Sequence, residues 1–231
     1  GHAEPSYGEY VFKLAGCAGC HTASEPGASP LAGGHRFDTP YGTFYSPNIT
    51  PHAEDGIGRW SEVDFVRALR DGVAPDGSHY YPVFPFPSYT RMRESDMRAL
   101  FAYLRGLKPA ARPKQEHELA WFARFRFTNW LWKLVFFEPG ELRPDAKRSV
   151  LWNRGAYIAQ AMAHCGECHS PRGLAGGVDR ARHLSGNSEG PGGDAVPNIT
   201  PHVSAEFREW DKIDIGAYLS TGEMPDGDYA G

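Results

Sequence analysis

The sequence predicts a mainly α chain organised as two tandem domains of short helices joined by long loops. Three observations carry that expectation. First, the chain repeats itself: "PNITPH" begins at Pro47 and again at Pro197, 150 residues later. At the same offset Trp60, Asp64, Gly72 and the "PDG" from Pro75 recur as Trp210, Asp214, Gly222 and the "PDG" from Pro225. The frames "CAGCH" (residues 17–21) and "CGECH" (165–169) are 148 residues apart, and "LAG" from Leu31 finds "LSG" from Leu184. One order of features at a nearly constant offset is the signature of a duplicated unit. Second, the apolar residues leading into each frame fall at helical spacing. Third, 27 Gly and 19 Pro among 231 residues interrupt regular structure often, which keeps helices short.

The elements follow in chain order. "YGEYVFKLAGCAGCH" and "NRGAYIAQAMAHCGECH" each place a cysteine frame at or near a helix end. A Gly/Pro-rich loop follows in each unit. In "SEVDFVRALRDG", Ser61 reads as an N-cap with Asp64 three residues on, and Gly72 as the stop. "ESDMRALFAYLRGL", from Glu94 to Leu107, is a third helix that closes the first unit. The predicted organisation is therefore a first domain over 1–107, a connecting segment over 108–150 and a second domain over 151–231. By repeat arithmetic the second domain should continue past the end of the chain, since the first runs on from Gly77 to Leu107.

The connecting segment contains "WFARFRFTNWLWKLVFF" (121–137), too short for a confident membrane span. A helix docked between domains is the expectation, and a membrane-surface helix the alternative. A formal charge of −4 carries no polyanion-binding signature, so nucleic acid is not an expected partner. The opening "GH" reads as the remnant of a tag, and no secretory signal is visible.

The cysteine frame defines the chemistry. Residues three and four apart share a helix face, so Cys17, Cys20 and His21 can present two thiols and an imidazole to one object, as can Cys165, Cys168 and His169. C-x-x-C-H is the attachment frame of haem c: the thiols form thioethers and the histidine becomes the axial iron ligand. A zinc ribbon would place its cysteine pairs much closer together, and a thioredoxin-type pair would sit in a βαβ pattern. Two covalent haems would also help fill the cores of domains built from short helices. Arg36, Trp60 and Trp210 are candidates for the haem rim by residue type, with a core role the competing reading for the tryptophans. The carbonyl of Pro30 is the expected acceptor for the second ring nitrogen of His21.

The sixth ligand separates a closed electron carrier from an open catalytic haem. Of four methionines, Met92 is the expected distal ligand of the first iron. Met97 is expected at the surface and Met162 in the core, while Met224 aligns with Ala74 and gains no ligand role. The counterpart of Met92 would fall beyond residue 231. His35, His52, His79, His117, His164, His183 and His202 could supply a bis-histidine site; a turn-capping or surface role is the expectation for the repeat-related His52 and His202.

Taken together, CxxCH, "LAGG", "FYSPNITP", "GIGRWSEVDFVRALRDGVAPDG", "YYPVFPFPSYTRM" and "DMRALFAYLRGL" resemble the cytochrome c subunits of bacterial membrane-associated alcohol, gluconate and aldehyde dehydrogenases. "WNRGAYIAQAMAHCGECHSPR" and "GPGGDAVPNITP" extend the resemblance through the second unit. It implies class I cytochrome c domains in the periplasm with His/Met ligation. It also implies a relay of electrons from a partner dehydrogenase to a quinone, oxidase or other acceptor, with membrane association through the partner or further segments. Many relatives carry the distal methionine in a "PAMPYPSY" stretch; Phe84 occupies that place here, and Met92 follows eight residues later. The rival functions are a di-haem redox enzyme of the peroxidase or thiosulfate dehydrogenase type, and a haem-based sensor. With all four cysteines used in the two frames, none remains as an unusual iron ligand for the thiosulfate reading.

Overall fold

The computed structural model describes residues 6–173, 175–190, 193–200 and 208–229. The expectations for Pro201, His202 and the rest of 201–207 lie outside the described residues. Helix α1 (Tyr7–Leu14) begins at Ser6, whose side chain accepts the Glu9 N–H. It is capped at Ala15, and Gly16, with a positive φ of 62°, turns the chain directly into α2 (Cys17–His21). Helix α3 (Glu62–Asp71) has the expected capping box, Ser61 and Asp64 each accepting the other's backbone N–H, and stops at a left-handed Gly72. A short α4 (Phe86–Tyr89) leads into α5 (Glu94–Arg105).

The chief addition to the predicted, mainly helical architecture is a small antiparallel sheet. β1 (Arg36–Thr39) pairs with β2 (Gly42–Tyr45), and the connecting segment contributes β3 (Glu118–Leu119) at the far edge of β2. β1 and β2 form a tight hairpin, too short for period-two alternation to stand out in the sequence. The connecting segment continues through a 3₁₀ turn (Trp121–Arg124) to α6 (Phe127–Phe136). α7 (Val150–Tyr157) runs into a π-helical turn (Ile158–Met162) before α8 (Gly166–His169), and α9 (Lys212–Thr221) closes the described chain.

The main core gathers Val11, Phe65, Leu69, Met92, Leu100 and Leu104 around α1, α3 and α5, and takes Tyr157, Ala161 and Met162 from the start of the second unit. Met97 corrects the expectation of an exposed residue: it is fully buried. On α5 it shares with Leu100, Phe101 and Leu104 the i, i+3, i+4, i+7 stripe that faces the core. Its neighbour Asp96 is buried as well, accepting hydrogen bonds from Tyr157 Oη at 2.5 Å and Tyr7 Oη at 3.0 Å. Tyr157 Oη in turn accepts the Arg93 N–H at 2.8 Å, so one carboxylate ties α1, α5 and α7 together.

Local contacts recur along the repeat. α9 carries the α3 capping box, with Asp211 in place of Ser61 and Asp214 in place of Asp64, and also ends at a left-handed glycine, Gly222. The turns at "PDG" match: Ala74 N–H donates to Ser78 O and Gly77 N–H to Ala74 O, as Met224 N–H does to Asp228 O and Gly227 N–H to Met224 O. The surroundings differ. α3 buries Phe65, Ala68 and Leu69, whereas no residue of α9 is buried.

Candidate cofactor site

Each cysteine frame is set by the same construction. His21 Nδ1 lies 2.8 Å from the carbonyl oxygen of Pro47, and His169 Nδ1 lies 2.9 Å from that of Pro197. The acceptor is therefore Pro47, not Pro30. Pro30 precedes Leu31, which takes a left-handed φ of 62°. That turn lets the Leu31 carbonyl accept the Ile49 N–H at 2.9 Å, which draws the "PNIT" segment across the histidine. Leu184 repeats the left-handed φ at 63°, and its carbonyl accepts the Ile199 N–H at 3.0 Å.

The histidine's own backbone is held too. Gly33 N–H donates to His21 O and Gly186 N–H to His169 O, each at 2.8 Å. Thr22 Oγ1 accepts the Leu31 N–H, and Ser170 Oγ accepts the Leu184 N–H. Within "PNIT" itself, Asn48 Oδ1 accepts from both the backbone and the hydroxyl of Thr50, and Asn198 does the same for Thr200. In both units the repeated motif sets one proline carbonyl against one imidazole.

That geometry decides what the imidazole can do. With Nδ1–H donated to the proline carbonyl, the lone pair of Nε2 is left for a metal ion. Burial pulls the His21 pKa below its ordinary value, against the opposing pull of Pro47, which keeps the ring neutral and able to ligate. None of the four cysteines is paired in a disulfide. Burial pushes Cys17 up to about 12 and raises Cys20, Cys165 and Cys168. Two cysteines three residues apart, followed at once by an imidazole oriented through its second nitrogen, are the set that covalent haem requires. Among the described residues, no three His, Cys, Asp or Glu side chains converge as a metal cluster.

The two frames meet. Tyr89 Oη donates to the Ala15 carbonyl, two residues before Cys17, at 3.0 Å. The Tyr89 ring stands edge-on to that of His164, the residue before Cys165, at 5.3 Å between centroids. Ser88 Oγ donates to Glu167 Oε1 at 2.6 Å, inside the second frame. Burial and then Glu167 raise the Cys168 thiol, and Cys20 of the first frame adds to that effect. α4 is the wedge between the frames, a role that no sequence motif announced.

The other candidates fall in different surroundings. Arg36 is exposed on β1, its Nε bonded to Asp38. Trp60 packs on the main core, and Trp210 stands edge-on to Tyr218, 5.2 Å between ring centroids. Met92, like Met97 and Met162, is wholly buried. His52 caps a turn by accepting the Asp55 N–H, as expected. His117 accepts the Tyr45 N–H, and His79 lies 2.9 Å from the ammonium of Lys133.

Residues 6–108 match the cytochrome c family model. Over 99% of its length the chain is 40% identical to a dihaem c-type cytochrome of Cereibacter sphaeroides, covering 76% of that protein. The chain belongs to the dihaem cytochrome c subunit family. It is also 35% identical to the cytochrome c subunit of a quinone-dependent alcohol dehydrogenase from Gluconobacter oxydans, and 40% identical to a nicotinate dehydrogenase subunit of Pseudomonas putida. It spans 46% of the former and 18% of the latter. Membership of the family implies covalently bound haem c, which is what the repeated thiol and imidazole geometry fits.

Proposed function

We propose that this cytochrome carries two covalent haems, one on each frame, and relays electrons from the catalytic subunit of a periplasmic dehydrogenase to a downstream quinone, oxidase or other acceptor. The haem iron supplies one-electron redox chemistry; the protein supplies attachment, axial orientation and spacing. On this reading residues 1–107 and 151–231 are two class I cytochrome c domains, with 108–150 between them. The observation that carries it is the duplicated His–Pro carbonyl contact beside each thiol pair, 2.8 Å and 2.9 Å long. The names of the relatives support a dehydrogenase partner. Mass spectrometry of the purified protein should show the added mass of two haems, and reductive titration should take up one electron per haem. A single haem, or none, would overturn the proposal.

Met92 is the proposed sulfur ligand of the first iron, as the methionine nearest the loop that resembles the family's distal segment. Met92→Leu should abolish the sulfur-to-iron charge-transfer band and lower one of the two reduction potentials, because thioether ligation raises the potential of a haem. An unchanged band and potential would instead make Met92 a core residue and assign the sulfur ligand to another methionine.

A further inference from the structure

Two differences between the frames give the second a side chain where the first has none. The residue before the frame is Gly16 in the first unit and His164 in the second; the third residue inside it is Gly19 in the first and Glu167 in the second. Both added side chains reach across to the first unit.

His164 is held where glycine is the ordinary choice. Gly16 has a φ of +62° and His164 of +43°, the left-handed region that an L side chain enters only at a cost in strain. The backbone requires that turn: Ala163 N–H closes the π-helical turn on Ile158 O at 2.7 Å, and Cys165 N–H donates to Ala159 O at 3.0 Å. A glycine would make it freely, as in the first unit, so the strain points to the imidazole itself. The half-buried ring stands edge-on to Tyr89, 5.3 Å between centroids. Tyr89 Oη donates to the carbonyl of Ala15, the residue before Gly16. Burial lowers the His164 pKa while Glu167 and the Ala15 carbonyl oppose it, which puts the same carbonyl beside the imidazole.

Glu167 is the second bridge. Its Oε1 accepts from Ser88 Oγ at 2.6 Å and its Oε2 from Arg172 Nη2 at 2.6 Å, so the carboxylate is pinned from both units. Its counterpart Gly19 is not there to relieve crowding, since a Cβ at that position would meet nothing within 4 Å. Cys168 follows Glu167, and after burial and Glu167 the first frame's Cys20 also raises its thiol, so the two sulfurs approach one another. How fast charge passes between two redox groups depends on how firmly their separation and orientation are fixed.

We infer that His164 and Glu167 are positioning residues that lock the second frame against the first, so that electrons pass between the two haems on the side of Cys20 and Cys168. The inference rests on the relay proposed above: one iron is oxidised as the other is reduced, and no bond or proton changes hands. Its test is flash photoreduction of the haem-loaded, partly oxidised 231-residue chain, with redistribution of charge between the haems followed by absorption. His164→Gly combined with Glu167→Gly gives the second frame the first frame's residues at both positions. It should slow redistribution by about tenfold or more, with both haems attached and their ligand bands unchanged. Ser88→Ala, which removes a partner of Glu167 from the other side, should slow it in the same direction. Two haems that exchange no charge in the wild type overturn the relay, and this inference with it. A double variant as fast as the wild type overturns this inference alone, even if its unfolding free energy falls, and makes both residues packing groups. Where that variant fails to load haem, an unslowed Ser88→Ala overturns it instead.

Discussion

Gly33 shows how little freedom the histidine's support allows. Its φ is +78°, and a Cβ placed there would stand 2.5 Å from the carbonyl carbon of Pro47, in the segment that orients His21. Gly33→Ala is therefore expected to destabilise the chain by about 1–3 kcal/mol. It should also shift one haem potential by disturbing the His21–Pro47 contact; chemical denaturation and potentiometry read the two effects. Gly186, at φ +87° and 3.0 Å from Asn198 N by the same construction, predicts a parallel but milder effect on the other haem. At this scale the sequence was legible wherever chemistry is written in adjacent residues. Cys17, Cys20 and His21 could be read directly. The acceptor could not, because a carbonyl has no side-chain signature and Pro30 and Pro47 are equally capable acceptors. The repetition of "PNIT" was the available clue, since a segment kept next to both frames has a reason to touch both histidines.

Among the elements, α3 depends on a residue from another part of the chain. Lys133 supplies donors to its last carbonyls and adds a cation at the negative end of its dipole. Lys133→Met should cost about 1–3 kcal/mol in chemical denaturation, as two carbonyls lose their donor. Burial also lowers the Lys133 pKa to about 8 from an ordinary 10.5, so between those values the unfolded chain binds a proton that the folded chain has released. Stability conferred through Lys133 should accordingly rise with pH across that window and be at its lowest below pH 8. The difference in unfolding free energy between the wild type and Lys133→Met, followed from pH 7 to pH 11, should widen; a flat or narrowing difference would contradict the sign. Helix α3 was readable from its caps, and α5 as a helical stretch whose inward stripe at Met97 was not. The three-stranded sheet was not, because two four-residue strands and a two-residue strand carry almost no periodic signal. Nor was the inversion of α6, which buries Asn129 and Lys133 and exposes Leu134 and Val135, since amphipathic spacing locates two faces without saying which one looks inward.

In the whole molecule, the second unit is anchored to the first through Tyr157. Its hydroxyl donates to the buried Asp96 and accepts from the Arg93 N–H, while Arg154 donates to Tyr10 Oη at 3.0 Å. Tyr157→Phe should cost about 1–3 kcal/mol by leaving those groups without a partner, measured as a loss of unfolding free energy. The duplication was plain from the repeat, but this joint was not, because it pairs residues that do not correspond between the units and so leaves no trace at the 150-residue offset. The meeting of the two frames at Tyr89 has a further consequence, for the order of events during assembly. Once α4 has closed over Ala15 and His164, Cys17 packs against the main core and burial pushes its thiol pKa up, while thioether formation needs a reactive sulfur. Haem should accordingly be joined to a still-open chain, with closure following attachment. A folded, haem-free sample should be alkylated more slowly at Cys17 than at the exposed Cys20, and urea should erase that difference.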